Sequence, residues 1–243
     1  MSKNFWTKPW VRLTSIMLIA GVFYSSWPLG YWLNPGADRG LASNLEAARQ
    51  PYNWVFIGMD MLCGALIIGG TWWLLHFIRR HKKHADRYLV ESAAIGLGIF
   101  GILTAIDALL PLNCVQSEQQ CLPPLQNPNF IIHGLASIGS IAGLTLSIVV
   151  IWWLAARDPR VISVTRWLLH LFLFVWFCFG IGTAFLVFRD RSSTFWQHIF
   201  ILICSFWIIA LPYYIWEVLR IRPHLHEPLE PPNTLGYGRG EHR

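Results

Sequence analysis

Six apolar runs separated by short polar joints fill nearly all of this chain: Leu13 to Leu33, Tyr52 to Phe77, Leu89 to Leu110, Phe130 to Ala156, Trp167 to Phe188 and Phe195 to Trp216. Each reaches the roughly 20 residues a helix needs to cross a bilayer. Water is not available to a backbone amide inside the hydrocarbon layer, so such a run must satisfy its own hydrogen bonds as a helix. The pattern predicts an all-α polytopic membrane protein with six transmembrane helices in one domain, residues 1–219. A tail over residues 220–243, rich in Pro and Gly and poor in core-forming side chains, is expected to be disordered on the cytoplasmic side.

Basic residues set the expected orientation. Fifteen of the 19 Lys and Arg flank the runs on the side of the two termini, and four lie in the opposite loops. The positive-inside rule then puts both termini in the cytoplasm. With 54% hydrophobic and 13% charged residues, the 243-residue chain has too little polar surface for a soluble domain of this size, and its mean hydropathy of +0.43 agrees. The net charge of +6 does not point to nucleic acid, because Arg79, Arg80, Lys82 and Lys83 border spans and read as anchors beside anionic headgroups. The first run exceeds the 7 to 15 residues typical of a signal peptide and is expected to stay as a helix. A plasma membrane, with lipids as the first partners, is the expected setting, and the oligomeric state is open.

The joints and packing faces carry further expectations. Ser43 and Glu46 have capping-box spacing for a short surface helix before Pro51. Cys114 and Cys121 share one outer loop and are expected to form a disulfide. In the fourth run, Ala136, Ser140, Gly143 and Ser147 form a small-residue stripe that lets another helix approach closely.

Function has to be read from the few polar groups inside the runs, since an ionisable residue costs about 2.5 to 3.5 kcal/mol to insert at mid-bilayer. By a rise of about 1.5 Å per residue, Asp60 lies roughly 12 Å from the outer end of its span, and Asp107, His133 and His198 within about 8 Å of theirs. Ser137 shares a face with His133 at i, i+4, as Thr104 does with Asp107 at i, i+3. Asp60, Asp107, His133, Ser137 and His198 are therefore the candidate catalytic residues of an outer-half pocket. His133, His198, Asp60 and Asp107 could hold zinc and a water that serves as hydroxide.

The reading taken from these groups is a possibly metal-assisted hydrolase or transferase acting on a lipid or envelope component. The same groups could serve a proton-coupled transporter or sensor, or merely satisfy one another in a non-catalytic assembly subunit. A less favoured reading pairs His133 with His198 and His76 with His170 as axial ligands of two haems. Lys occurs only at positions 3, 8, 82 and 83, which excludes a membrane-embedded Schiff base, and there is no phosphate-binding glycine loop, His-Glu-x-x-His or Gly-x-Ser-x-Gly.

The stretch NLEAARQPYNWVFIGMDMLCGAL from Asn44 to Leu66, DALLPLNC from Asp107 to Cys114 and HGLAS from His133 to Ser137 together resemble a prokaryotic six-helix membrane family known as domain of unknown function 998. The likeness extends over about Arg12 to Trp216. It implies the six-helix architecture and an outer polar cluster that includes Asp60, Asp107, His133 and Ser137, and it brings no reaction with it.

Overall fold

A computed structural model describes residues 9–34, 45–47, 50–80, 87–111, 128–157, 161, 163–188 and 194–221. All regular structure among them is helical: α1 (Pro9–Tyr24), a 3-10 turn (Trp27–Leu29), α2 (Gly30–Leu33), α3 (Asn53–Arg80), α4 (Arg87–Leu109), α5 (Pro128–Arg157), α6 (Ser163–Phe188) and α7 (Thr194–Ile221). Five helices, α3 to α7, are long and apolar enough to cross a membrane. A sixth crossing forms when Val11–Tyr24 and Trp27–Leu33 count as one broken span. The chain is thus an all-α, multi-span membrane protein. Cys114, Cys121, Ser43 and residues 222–243 lie outside the described residues, so the expected disulfide, capping box and disordered tail fall there too; the described cysteines, Cys63, Cys178 and Cys204, are free thiols.

The first span does not run straight from Leu13 to Leu33, as its hydropathy predicts, but bends by 41° between Tyr24 and Trp27. The cause is local. Pro28 has no amide hydrogen and its ring obstructs the preceding turn, so an α-helix cannot continue through it. Ser25 eases the exit by donating its hydroxyl to the Gly21 carbonyl at 3.0 Å. The same carbonyl still accepts the Ser25 amide at 3.1 Å, and a hydroxyl bonded beside a helical amide in this way often bends a helix. Trp27 then lies flat on the His198 ring of α7, with centroids 3.9 Å apart and planes 7° apart.

Close backbone approaches hold the bundle together. Packing in lipid gains little from hydrophobicity, so helices associate where small residues admit van der Waals contact. A Cβ built on Gly96 of α4 would stand 2.5 Å from the Gly143 carbonyl of α5, and one on Gly143 would stand 2.7 Å from the Gly96 carbonyl. Gly64 of α3 faces the Gly101 carbonyl of α4 in the same way, at 2.7 Å. The stripe of Ala136, Ser140, Gly143 and Ser147 is buried along its length. Below it, Ile67, Leu97, Phe100, Leu144, Ile148, Trp207, Ile208 and Leu211 make an apolar centre. Trp207 donates its indole N–H to the Ser147 hydroxyl at 3.1 Å, the polar contact inside that centre. α6 is much less enclosed: 11% of its span is buried, against 39% to 44% in α3, α4, α5 and α7.

Residues 45–47 and Gln50, a short strap on the way from α2 to α3, lie against the end of the bundle where α2 ends and α3 begins. Leu45 packs on the bare backbone of Gly30, and Asn34 donates its side-chain N–H to Gln50 at 2.9 Å. Between these fixings Glu46 and Ala47 are buried, where a surface-lying loop was expected. Tyr52, with φ of 59°, then turns the chain into α3.

Candidate functional site: a carboxylate and imidazole chamber

The polar side chains of the spans converge at the end of the bundle that carries the strap. Asp60 lies two turns into α3, Asp107 near the end of α4, and His133 and Ser137 in the first turns of α5. Antiparallel connection brings the end of α4 beside the start of α5, and the Gly96–Gly143 approach fixes their separation. His133 Nδ1 and Asp107 Oδ1 are 2.9 Å apart, an ion-pair distance, although the two atoms miss the alignment of a linear hydrogen bond. Ser137 donates its hydroxyl to the other carboxylate oxygen of Asp107 at 3.2 Å. Asp107 is therefore shared between hydroxyl and imidazole. In a nucleophilic triad the imidazole stands in the middle and takes the serine proton, so Ser137 here is placed to orient Asp107.

A second acidic pair completes the site. Glu46, brought in by the strap, shares a side-chain hydrogen bond with Asp60. Two carboxyl groups can bond in this way only when one carries a proton. Burial pushes the Glu46 carboxyl well above its ordinary range; the Asp60 charge, the bond to Asp60 and the Asp107 charge push the same way, while His133 opposes them. Glu46 is thus the O–H donor and Asp60 the acceptor.

These groups line a cavity of about 170 Å³ together with Tyr24, Trp27, Phe56, Thr183, Gln197 and Phe200 among others. That volume is many times the ~10–15 Å³ of probe-occupied space that one water needs. Its walls come from α1, the 3-10 turn, the strap, α3, α4, α5, α6 and α7, so every helix but α2 contributes to it. Asp60, Asp107, His133 and Ser137 all reach the chamber.

His198 does not line it; its ring is stacked on Trp27. Among the described residues no three His, Cys, Asp or Glu are grouped so as to hold a metal ion. The remaining histidines of the haem pairing are engaged at the opposite end, His76 stacked over Trp72 and His170 with its Nδ1 2.6 Å from the Arg166 carbonyl. Glu46 is the site residue that sequence reasoning assigned elsewhere, as a helix cap. The available signal was Asp60 itself, a carboxylate deep in a span that needs a partner.

Geometry and topology thus define a multi-span membrane protein with a polar chamber at one end of its bundle. The chain belongs to the family described as Protein of unknown function (DUF998), whose model matches residues 17–212. No curated protein and no solved structure matches it.

Proposed function

We propose that the chamber is the acid–base site of an enzyme that hydrolyses, or transfers a group from, a lipid or envelope component at the outer face of a prokaryotic plasma membrane. The observation that carries this reading is the pairing, within one cavity, of an imidazole held by a carboxylate with two carboxyl groups that share a proton. Environments that separate the protonation states of neighbouring groups are how one site supplies both an acid and a base. His133 is oriented through Nδ1 by Asp107, which leaves Nε2 to take a proton from an attacking water. The proton shared by Glu46 and Asp60 passes to the leaving oxygen as the scissile bond breaks, and the proton held by His133 later restores it. If an acceptor hydroxyl takes the place of water, the same sequence transfers the group.

A proton-coupled carrier would use the same groups but would need a polar route onward to the other face. Beneath Asp60 the centre is filled by Cys63, Ile67, Leu97, Phe100 and Trp207, which favours chemistry at one end over passage through. The positive-inside charge bias supports the outer placement.

The test is to incubate purified protein with vesicles of polar lipids from the membrane in which it is made, and to follow headgroup composition by mass spectrometry. Time-dependent conversion by wild type, absent in His133→Asn and Asp60→Asn proteins of equal thermal stability, is expected. Identical lipid profiles for wild type and His133→Asn would refute the proposal.

A further inference from the structure

We propose that this chamber selects its substrate by a cationic ammonium group beside a neutral oxygen, the chemistry of an amino alcohol or amino sugar, and rejects phosphate. The inference rests on the acid–base reading above and adds the substrate class.

Its charge arithmetic is one-sided. Glu46, Asp60, Asp107 and His133 line the chamber, and among the described residues no Lys or Arg does. The Glu46–Asp60 pair, with one shared proton, carries one negative charge. The His133–Asp107 pair is neutral when the imidazole is charged and adds a second negative charge when it is not. The net over these four groups is negative in either case, so a phosphate entering the chamber would lose water and gain no counter-charge from them, which is a strong bias against it. One ammonium balances the four groups when the imidazole is charged.

The lining also has the shape of ammonium recognition. Tyr24, Trp27, Phe56 and Phe200 put aromatic side chains around the carboxylates, and aromatic faces attract desolvated cations. Independently of the acids, two polar atoms on lining residues, Thr183 Oγ1 and Trp27 Nε1, are fully buried and have no hydrogen-bond partner. Such atoms are rare because each costs its full desolvation. The threonine oxygen can accept from an ammonium N–H. The indole can only donate, and so calls for an oxygen next to the ammonium. With about 170 Å³, the chamber takes a headgroup-sized fragment and leaves no room for an acyl chain.

The experiment follows unfolding of the detergent-solubilised full chain by its own tryptophan fluorescence while ethanolamine hydrochloride, glycerol or inorganic phosphate is added at matched ionic strength. A saturable rise in midpoint with ethanolamine alone is expected. The apparent affinity should fall at least tenfold in Asp60→Asn and several-fold in Thr183→Val. Thr183→Val loses no bond within the protein and keeps the test intact if Asp60→Asn does not fold. An alkyl glucosaminide acting at lower concentration than ethanolamine identifies a membrane-borne amine; the reverse identifies a free one. Saturable stabilisation by phosphate, no saturable response to either amine, or equal amine affinity in wild type and both variants overturns the inference. Lipid conversion that persists in any of these cases leaves the acid–base reading standing and the ammonium preference refuted.

Discussion

Replacing Gly96 with alanine should loosen the bundle where α4 meets α5, and the structure gives the size of the effect. The new Cβ would stand 2.5 Å from the Gly143 carbonyl and 3.1 Å from the Ser147 amide nitrogen, both backbone atoms that no rotamer change can move. Ordinary contact needs about 3.4 Å or more, so the helices must part by roughly 1 Å. Overpacking of this kind costs typically 1–3 kcal/mol, and a rigid backbone neighbour places this case near the upper end. Alanine returns about 0.5–1 kcal/mol of helix preference over glycine. A net loss of about 2 kcal/mol is expected. Gly58 on α3 is the control, because nothing lies within 4 Å of its built Cβ. Gly58→Ala should gain the helix preference and pay no packing cost, which separates the two variants by roughly 3 kcal/mol. Reversible unfolding in mixed detergent and dodecyl sulfate measures both. A Gly96→Ala protein as stable as Gly58→Ala would show that the close approach of α4 and α5 does not hold this fold together.

Three further outcomes are expected. The folded-state pKa of the Glu46 carboxyl is raised by burial above its ordinary value of 4.5, so its contribution is full below that value and is lost as pH rises through the folded one. The unfolding midpoint should fall with rising pH in wild type and much less in Glu46→Gln, as read by thermal scans across a pH series. Ser137→Ala removes the bond to Asp107 at 3.2 Å; a positioning bond of about 1.4 kcal/mol corresponds to a tenfold rate loss, whereas removal of a nucleophile would abolish turnover in the vesicle assay. Ser147→Ala leaves the buried Trp207 indole without its acceptor and should cost about 1 kcal/mol, between the ~0.6 typical of bonds between membrane helices and the ~1–3 of an orphaned donor. Detergent unfolding checks the size.

Helix positions were legible because hydropathy and length act along one dimension, and bilayer thickness supplies the ruler. The close-packing face of α5 was legible for a related reason, since small residues spaced at i, i+4, i+7 and i+11 leave a face with one use in lipid, although its partner α4 was not. His133, Asp107 and Ser137 were found because depth and helical face agreed. His198 shows what depth alone leaves out: it shares their level, but the turn of α7 directs it to Trp27. The bend at Pro28 was hidden by averaging, since Trp27, Leu29 and Tyr31 keep the run apolar on both sides of it. Glu46 was hidden for a deeper reason. Its partner Asp60 is 14 residues away, and only the fold of the strap, held by Gly30 and by the Asn34–Gln50 bond, brings the two carboxyls together.

The bend in the first span also says where irregular backbone sits in the bilayer. The 16 residues of α1 rise about 24 Å, some 6 Å short of the roughly 30 Å of hydrocarbon that a span crosses, so the crossing is completed by the tilted Trp27–Leu33 segment. The break therefore falls inside the hydrocarbon layer, near its edge, where irregular backbone is tolerated only if it is buried in protein or lines a polar cavity. Tyr24, Ser26 and Trp27, on either side of the break, line the chamber, so the chamber is also what lets the first helix break at that depth.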